Sequence, residues 1–167
     1  MMAEDLTGGC LCGAVRYQTT GASSRVLHCH CRSCRCHTGA PMATLAVFRA
    51  DQVAFSGSDR KLYRSAPSVE RAFCGDCGTS LTWETDFADE GPLCAIHISS
   101  FDDPEALTPT AHSFYPERIA WFDVADALPR HEGFVAGSEP IQVGPAGAAG
   151  APPGPPVTSL CVPRRRP

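Results

Sequence analysis

Eight of the ten cysteines fall in three tight groups: Cys10-Leu11-Cys12, then Cys29-His30-Cys31-Arg32-Ser33-Cys34-Arg35-Cys36, then Cys74-Gly75-Asp76-Cys77. Cys94 and Cys161 stand alone. The first and third groups each run into a glycine, giving C-x-C-G and C-x-x-C-G. A thiolate pair at the tip of a tight turn needs backbone amides aimed at sulfur, and the following glycine supplies the dihedrals that other residues resist. A structural Zn²⁺ takes four ligands, so two such pairs complete one tetrahedral ion. The spacing assigns Cys10, Cys12, Cys74 and Cys77 to a closed structural zinc site that staples distant parts of the chain.

The middle group implies different chemistry. On an extended segment Cys29 and Cys31 point to one side and His30 to the other, and a turn through Arg32-Ser33 lets Cys34 close the face. Three protein ligands leave a fourth position open, which is the catalytic arrangement for zinc. His30, Cys36 or Cys94 can fill that position instead. Strand geometry turns His30 away, which leaves Cys36 as the stronger rival. Arg32 and Arg35 lie inside this group, and Arg16 and Arg71 lie near the outer pairs. They are either donors to thiolate-rich sites or solvated surface residues.

Other chemistries fail on their signatures. No histidine has a glutamate two residues later, so the zinc-deaminase pattern is missing, and His131-Glu132 has no histidine partner at 135 for a zinc-protease helix. His97 and His112 are isolated, which reads as structural hydrogen bonding. Gly8-Gly9 runs into cysteine and is no phosphate loop.

The elements that must position these groups read as strands. Ala14 to Thr19, Thr44 to Phe48, Val53 to Ser56, Lys61 to Arg64, Val69 to Phe73, Ser80 to Asp86 and Leu93 to Phe101 are short and rich in β-branched or aromatic residues. Turn residues such as Ser56-Gly57-Ser58-Asp59 punctuate them. Asp102-Asp103-Pro104-Glu105 is a helix-start signal, which Pro109 limits to one or two turns. A length of 167 residues fits one domain. The expectation is a single mostly-β domain over 6–134. From 135 to 167 the chain is rich in glycine, proline and alanine, and 144–167 holds only Val157, Leu160 and Val162 as large apolar residues. This stretch is expected to be a disordered tail.

Charge narrows the partners. The net charge is −4, but Arg164, Arg165 and Arg166 lie in the last four residues, so positions 1–163 carry −7. An acidic body argues against a broad nucleic-acid-binding surface. Met1 to Thr7 lacks the basic and apolar parts of a secretory signal, and Ala40 to Phe48, the most apolar stretch, is far below the roughly 18 residues of a membrane span. A cytoplasmic protein that binds neither nucleic acid nor membrane is expected. In a reducing compartment clustered cysteines are metal ligands or catalysts in preference to disulfides.

Taken together, Gly8-Gly9-Cys10-Leu11-Cys12-Gly13-Ala14-Val15-Arg16-Tyr17, Cys29-His30-Cys31-Arg32-Ser33-Cys34-Arg35 with Gly39, and Phe73-Cys74-Gly75-Asp76-Cys77-Gly78-Thr79-Ser80-Leu81 resemble the glutathione-dependent formaldehyde-activating enzyme family. That family shares its domain with centromere protein V. Phe101-Asp102-Asp103-Pro104, His112, Trp121 and Leu128-Pro129 add weaker matches. The resemblance implies a zinc-stapled fold of short antiparallel strands, of the Mss-four-like type, with two zinc ions. Cys10, Cys12, Cys74 and Cys77 would hold the structural ion and Cys29, Cys31 and Cys34 the catalytic one. It also implies a carbon-sulfur lyase activity that joins a small thiol such as glutathione to a small aldehyde such as formaldehyde, with Arg35 or Arg32 steadying the oxyanion or a glutathione carboxylate. Cys36 departs from the family's usual non-thiol residue. The alternative is a non-catalytic zinc scaffold or interaction module, as the centromere relative permits; a thiol redox pair Cys34-Arg35-Cys36 is a third reading.

Overall fold

Alternation along Val15–Thr19 buries Val15, Tyr17 and Thr19 and leaves Gln18 exposed, the pattern of a strand with one face in the core. In the computed structural model, which describes residues 5–136, 140 and 141, this strand (β2) lies between β1 (Thr7–Gly9) and β5 (Val53–Gly57). Both pairings are antiparallel. Tyr17 stands opposite Gly8 on one side and Phe55 on the other. A second antiparallel sheet contains, in spatial order, β3 (Arg25–Cys29), β4 (Ala43–Arg49), β9 (Gly91–His97), β8 (Ser80–Phe87), β7 (Val69–Phe73) and β6 (Lys61–Ala66). The mostly-β antiparallel class expected from the sequence is what the chain adopts. The expected tail lies outside the described residues apart from 135, 136, 140 and 141.

The chain divides into two units. The first comprises the residues up to His28 and Thr44–Ala111, and its core gathers Val15, Tyr17, Val26, Ala46, Phe48, Leu81, Ile96 and Phe101. Phe48, Leu81 and Ile96 have no exposed surface, and burial of such a side chain contributes about 1.5–3 kcal/mol. Tyr17 packs edge-on against Phe101 with ring centroids 5.3 Å apart, and its hydroxyl is 2.8 Å from the Ser100 hydroxyl. The core thus grips the strand that leads out of the first cysteine pair.

The second unit comprises Cys29–Ala43 and the residues from His112 onward. Its helix α1 (Arg32–Thr38) begins at Cys31, whose sulfur accepts the Cys34 N–H at 3.3 Å, and ends at Gly39 in the left-handed region at φ 67°. A single 3-10 turn, Tyr115–Glu117, follows the short strand β10 (Ala111–Ser113). The loop beyond is tied by Arg130, which donates to the carbonyls of Leu128 at 2.7 Å and Val124 at 3.0 Å. Main-chain bonds from His112 to Pro129 and from His131 to His112, each 2.8 Å, hold this loop against β10.

Several elements depart from expectation. The strand expected over Leu93 to Phe101 stops at His97, because Ile98–Ser100 coils into a 3-10 turn with the Ser100 hydroxyl on the His97 carbonyl. The turn expected at Arg32-Ser33 is the first turn of α1. The short helix expected after Asp103 is one 3-10 turn, Pro104–Ala106, capped by the Asp103 carboxylate. Among the described residues no helix is long and apolar enough to cross a membrane.

Candidate metal centres

In the first unit two glycine-terminated turns present four sulfurs to one another. Gly13 at φ 78° closes the first, where the Gly13 N–H reaches the Cys10 carbonyl at 2.9 Å and the Val15 N–H points at the Cys10 sulfur at 3.2 Å. Gly78 at φ 75° closes the second, where its N–H reaches the Cys74 carbonyl at 3.0 Å. The Thr79 hydroxyl joins the two turns, accepting the Leu11 N–H at 3.0 Å and lying 3.1 Å from the Cys77 sulfur. Cys10 and Cys12 Sγ are 3.5 Å apart, Cys12 and Cys74 Sγ 3.8 Å, and all four sulfurs lie within 4.8 Å of one another. A tetrahedral ion with Zn–S bonds of about 2.3 Å needs sulfurs roughly 3.8 Å apart. The donor set fits zinc in type, number and separation.

The thiols also show why a cation belongs there. The Thr79 hydroxyl, with the Thr79 and Cys12 amides, pulls the Cys77 thiol down to about 6. The Ala14 N–H favours a thiolate at Cys12, but the neighbouring Cys10 and Cys77 outweigh it and push that thiol up to about 12. Four thiolates this close repel one another, and a divalent cation reverses the repulsion.

In the second unit Cys29 closes β3, Cys31 caps α1 and Cys34 lies in the helix's first turn. Their sulfurs lie within 4.8 Å of one another, and among the described residues no further histidine, cysteine or carboxylate joins them. Cys29 and Cys34 are buried. The Cys31 and Cys34 thiols, followed by burial, push the Cys29 thiol well above its ordinary value. At Cys31 the Cys29 thiol favours ionisation, while Cys34 and burial prevail and raise it to about 11. These three sulfurs suit a soft, thiolate-accepting cation for the same electrostatic reason as the four.

The rivals for the fourth position are elsewhere. Cys36 is exposed on α1 and outside the group. The His30 ring is fully buried with Nε2 2.8 Å from His112 Nδ1. Cys94 sits in β9 of the first unit, opposite Glu84.

The arginines are tied to backbone, carboxylate and hydroxyl groups. Arg35 donates through Nε to the His30 carbonyl at 2.9 Å and through Nη2 to the Glu117 carbonyl at 3.1 Å. The Arg32 N–H meets the Glu117 carboxylate at 2.9 Å. Arg16 is paired with Asp102, and Arg71 is buried and donates to the Ser65 hydroxyl. His112, expected from the sequence to be a structural hydrogen-bonder, contacts both His30 and Asp126, and these partners are what the sequence did not signal. Eighty-two positions separate His112 from His30, so no local spacing signals the pair.

The model of the family described as "Glutathione-dependent formaldehyde-activating enzyme" matches residues 5–117. A protein of Schizosaccharomyces pombe named as an uncharacterized lyase is 31% identical over 74 residues, which is 44% of this chain and 53% of that protein, so the chain spans about half the length of this curated relative. A crystal structure of a Rhodobacter sphaeroides protein superposes with a TM-score of 0.50 at 19% identity, covering 64% of this chain and 99% of the other, and shares the fold. The match over 5–117 takes in all three cysteine groups, and the chain belongs to the glutathione-dependent formaldehyde-activating enzyme family.

Proposed function

We propose that the protein joins a small thiol, glutathione or one like it, to a small aldehyde such as formaldehyde, with residues 6–134 as the functional domain. Cys29, Cys31 and Cys34 hold a catalytic zinc in this reading, and Cys10, Cys12, Cys74 and Cys77 hold a structural one. The observation that carries it is the count in the second unit: three sulfurs within 4.8 Å and no fourth donor of the usual metal-binding types grouped with them among the described residues. Three protein ligands are what a zinc site with a place for an external ligand shows. Zinc in that set supplies positive charge that stabilises an external thiolate at neutral pH, although the thiol's own pKa is near the roughly 8.5 of cysteine.

The bond changes balance without an oxidant. Sulfur attacks the carbonyl carbon, a C–S bond forms, the carbonyl π bond opens, and the proton lost by the thiol ends on the new hydroxyl oxygen. The developing alkoxide needs a donor. Arg35 follows Cys34 in the chain and is fixed by two backbone carbonyls. Its remaining guanidinium N–H groups are the donors proposed for that oxygen or for a carboxylate of glutathione. Soluble small molecules as substrates accord with a cytoplasmic location.

Cobalt-substituted protein titrated with glutathione tests the proposal, in wild type and in Cys36→Ala. A change in the cobalt bands of wild type, with adduct formation above the uncatalysed rate, is the expected result. A silent wild type beside a responsive variant makes Cys36 a resident ligand and removes the simple enzyme. Silence in both, with no rate enhancement, leaves the non-catalytic zinc scaffold in its place.

A further inference from the structure

The second unit contains a chain of three side chains, two of them fully buried, that the three-thiol group does not include. His30 Nε2 lies 2.8 Å from His112 Nδ1, and His112 Nε2 lies 3.0 Å from Asp126 Oδ2. Both rings are fully buried and stack at 5.1 Å with planes 21° apart, and the Tyr115 ring stands edge-on to each. Asp126 is itself held, accepting the Leu128 N–H at 3.0 Å and pairing with Arg130 at 3.3 Å. Burial opposes ionisation of its carboxyl, but the Leu128 N–H, His112 and Arg130 hold it below the usual carboxylate range. It is therefore an acceptor only, and the hydrogen on His112 that faces it is on Nε2. The bond between the rings joins His30 Nε2 and His112 Nδ1. The chain fixes the orientation of both rings.

His30 is the residue between Cys29 and Cys31. Its N–H donates to the Ser113 carbonyl at 3.0 Å and its carbonyl accepts from Arg35 Nε at 2.9 Å. With its ring fixed as well, the backbone that sets the spacing of the Cys29 and Cys31 sulfurs is pinned at three points.

We propose that His112 and Asp126 are positioning residues for the Cys29, Cys31 and Cys34 site: they hold His30, and through it the two flanking sulfurs, in metal-binding geometry before the ion arrives. This rests on the reading of that group as a metal site. Outer partners of this kind alter metal affinity by roughly 10–100-fold when removed. The purpose of the chain is then preorganisation, since a ligand set that is already in place loses less conformational freedom on binding.

The experiment uses full-length protein loaded with cobalt, and follows release to a chelator together with the cobalt absorption bands. Cys31→Ser identifies the phase belonging to the three-thiol site, and the four-thiol site serves as an internal control for folding. Asp126→Ala and His112→Leu are expected to release cobalt from the three-thiol site tenfold or more faster, with shifted bands, while release from the four-thiol site is unchanged. His112→Gln, whose amide offers one acceptor and one donor, is expected to restore release to within a few-fold of wild type. Wild-type release rates and bands in Asp126→Ala and His112→Leu overturn the proposal. So does equal loss of metal from both sites in Asp126→Ala, which makes the chain a support of the fold alone, and so does a His112→Gln variant as fast as His112→Leu. A wild-type stoichiometry of one, with the four-thiol site filled, instead overturns the metal reading and takes the positioning role with it.

Discussion

The sulfurs of Cys12 and Cys74 lie 3.8 Å apart although the two residues are 62 positions apart in the chain. On the proposed structural-zinc reading, a metal between the two knuckles would close that long loop, and its binding energy would be folding energy. Structural zinc in small domains is worth about 10–16 kcal/mol in apparent terms, against a total stability of about 5–15 kcal/mol for a typical domain. Cys74→Ser is therefore expected to abolish cooperative thermal unfolding, as is zinc removal by a chelator. Cys31→Ser is expected to keep it. Equal loss in both variants, read by circular dichroism on metal-quantified samples, removes the distinction between the two sites.

Gly8 precedes the first knuckle and stands opposite Tyr17 in the β1–β2 ladder. A Cβ at this position would meet the Tyr17 hydroxyl and the Ser100 carbonyl well inside van der Waals contact. The tyrosine can shift its tip, but the carbonyl belongs to the backbone. Gly8→Ala is expected to cost about 1–3 kcal/mol, the usual range for overpacking a filled core. Adding Tyr17→Phe relieves only the hydroxyl contact, so the double variant should remain destabilised in urea titration. Full recovery in the double variant would show that the Ser100 carbonyl is no obstacle.

The outer knuckles were legible because their chemistry is local: a sulfur pair and a glycine at fixed spacing state the turn, and Gly13 and Gly78 do adopt the left-handed backbone it requires. Strands such as Val69–Phe73 were legible from composition and turn boundaries. The helix α1 was not, because its cap is Cys31, outside the usual Ser, Thr, Asp and Asn set, and its sequence RSCRCHT reads as a metal motif before it reads as a helix. The pairing of His30 with His112 and Asp126 was beyond reach for another reason. It joins residues on separate chain segments, and each looks ordinary among its own neighbours.

Arg16 and Asp102 form a two-pronged ion pair in which both side chains are close to half exposed, at 42% and 48%. Arg16 first, then the Thr7 hydroxyl, holds the Asp102 carboxyl below its usual value. A carboxyl depressed in the folded state contributes stability that is fully present above its unfolded pKa, about 3.9, and is lost as pH falls through the lower folded value. From pH 5 to 8 the contribution is therefore constant. Exposed pairs are typically worth about 0.2–1 kcal/mol, and Asp102→Asn should lower stability by that order with no trend across this window. A penalty that grows between pH 5 and 8, measured by denaturant unfolding at each pH, would mean that the carboxyl titrates there and that Arg16 does not depress it.

Cys94 and Cys36 should differ in reactivity for a reason that combines access with charge. Cys94 is 3% exposed in β9, and burial first, then the negative charge of Glu84, pushes its thiol up to about 12. The thiolate is the reacting form, so at pH 8 only about one molecule in ten thousand would be ionised at this site even with the reagent at hand. Cys36 is exposed on α1. On the proposed assignment the seven clustered cysteines would be shielded by bound zinc, because their lone pairs would be engaged. In zinc-loaded protein treated with iodoacetamide, Cys36 is expected to be alkylated first among the described cysteines, and Cys94 only at the rate of global unfolding. Peptide mapping by mass spectrometry over time reads both. Early modification of Cys94 in folded, zinc-loaded protein would show that β9 opens locally, and an inert Cys36 would show that its sulfur is engaged by metal after all, which returns the fourth position of the three-thiol site to a resident ligand.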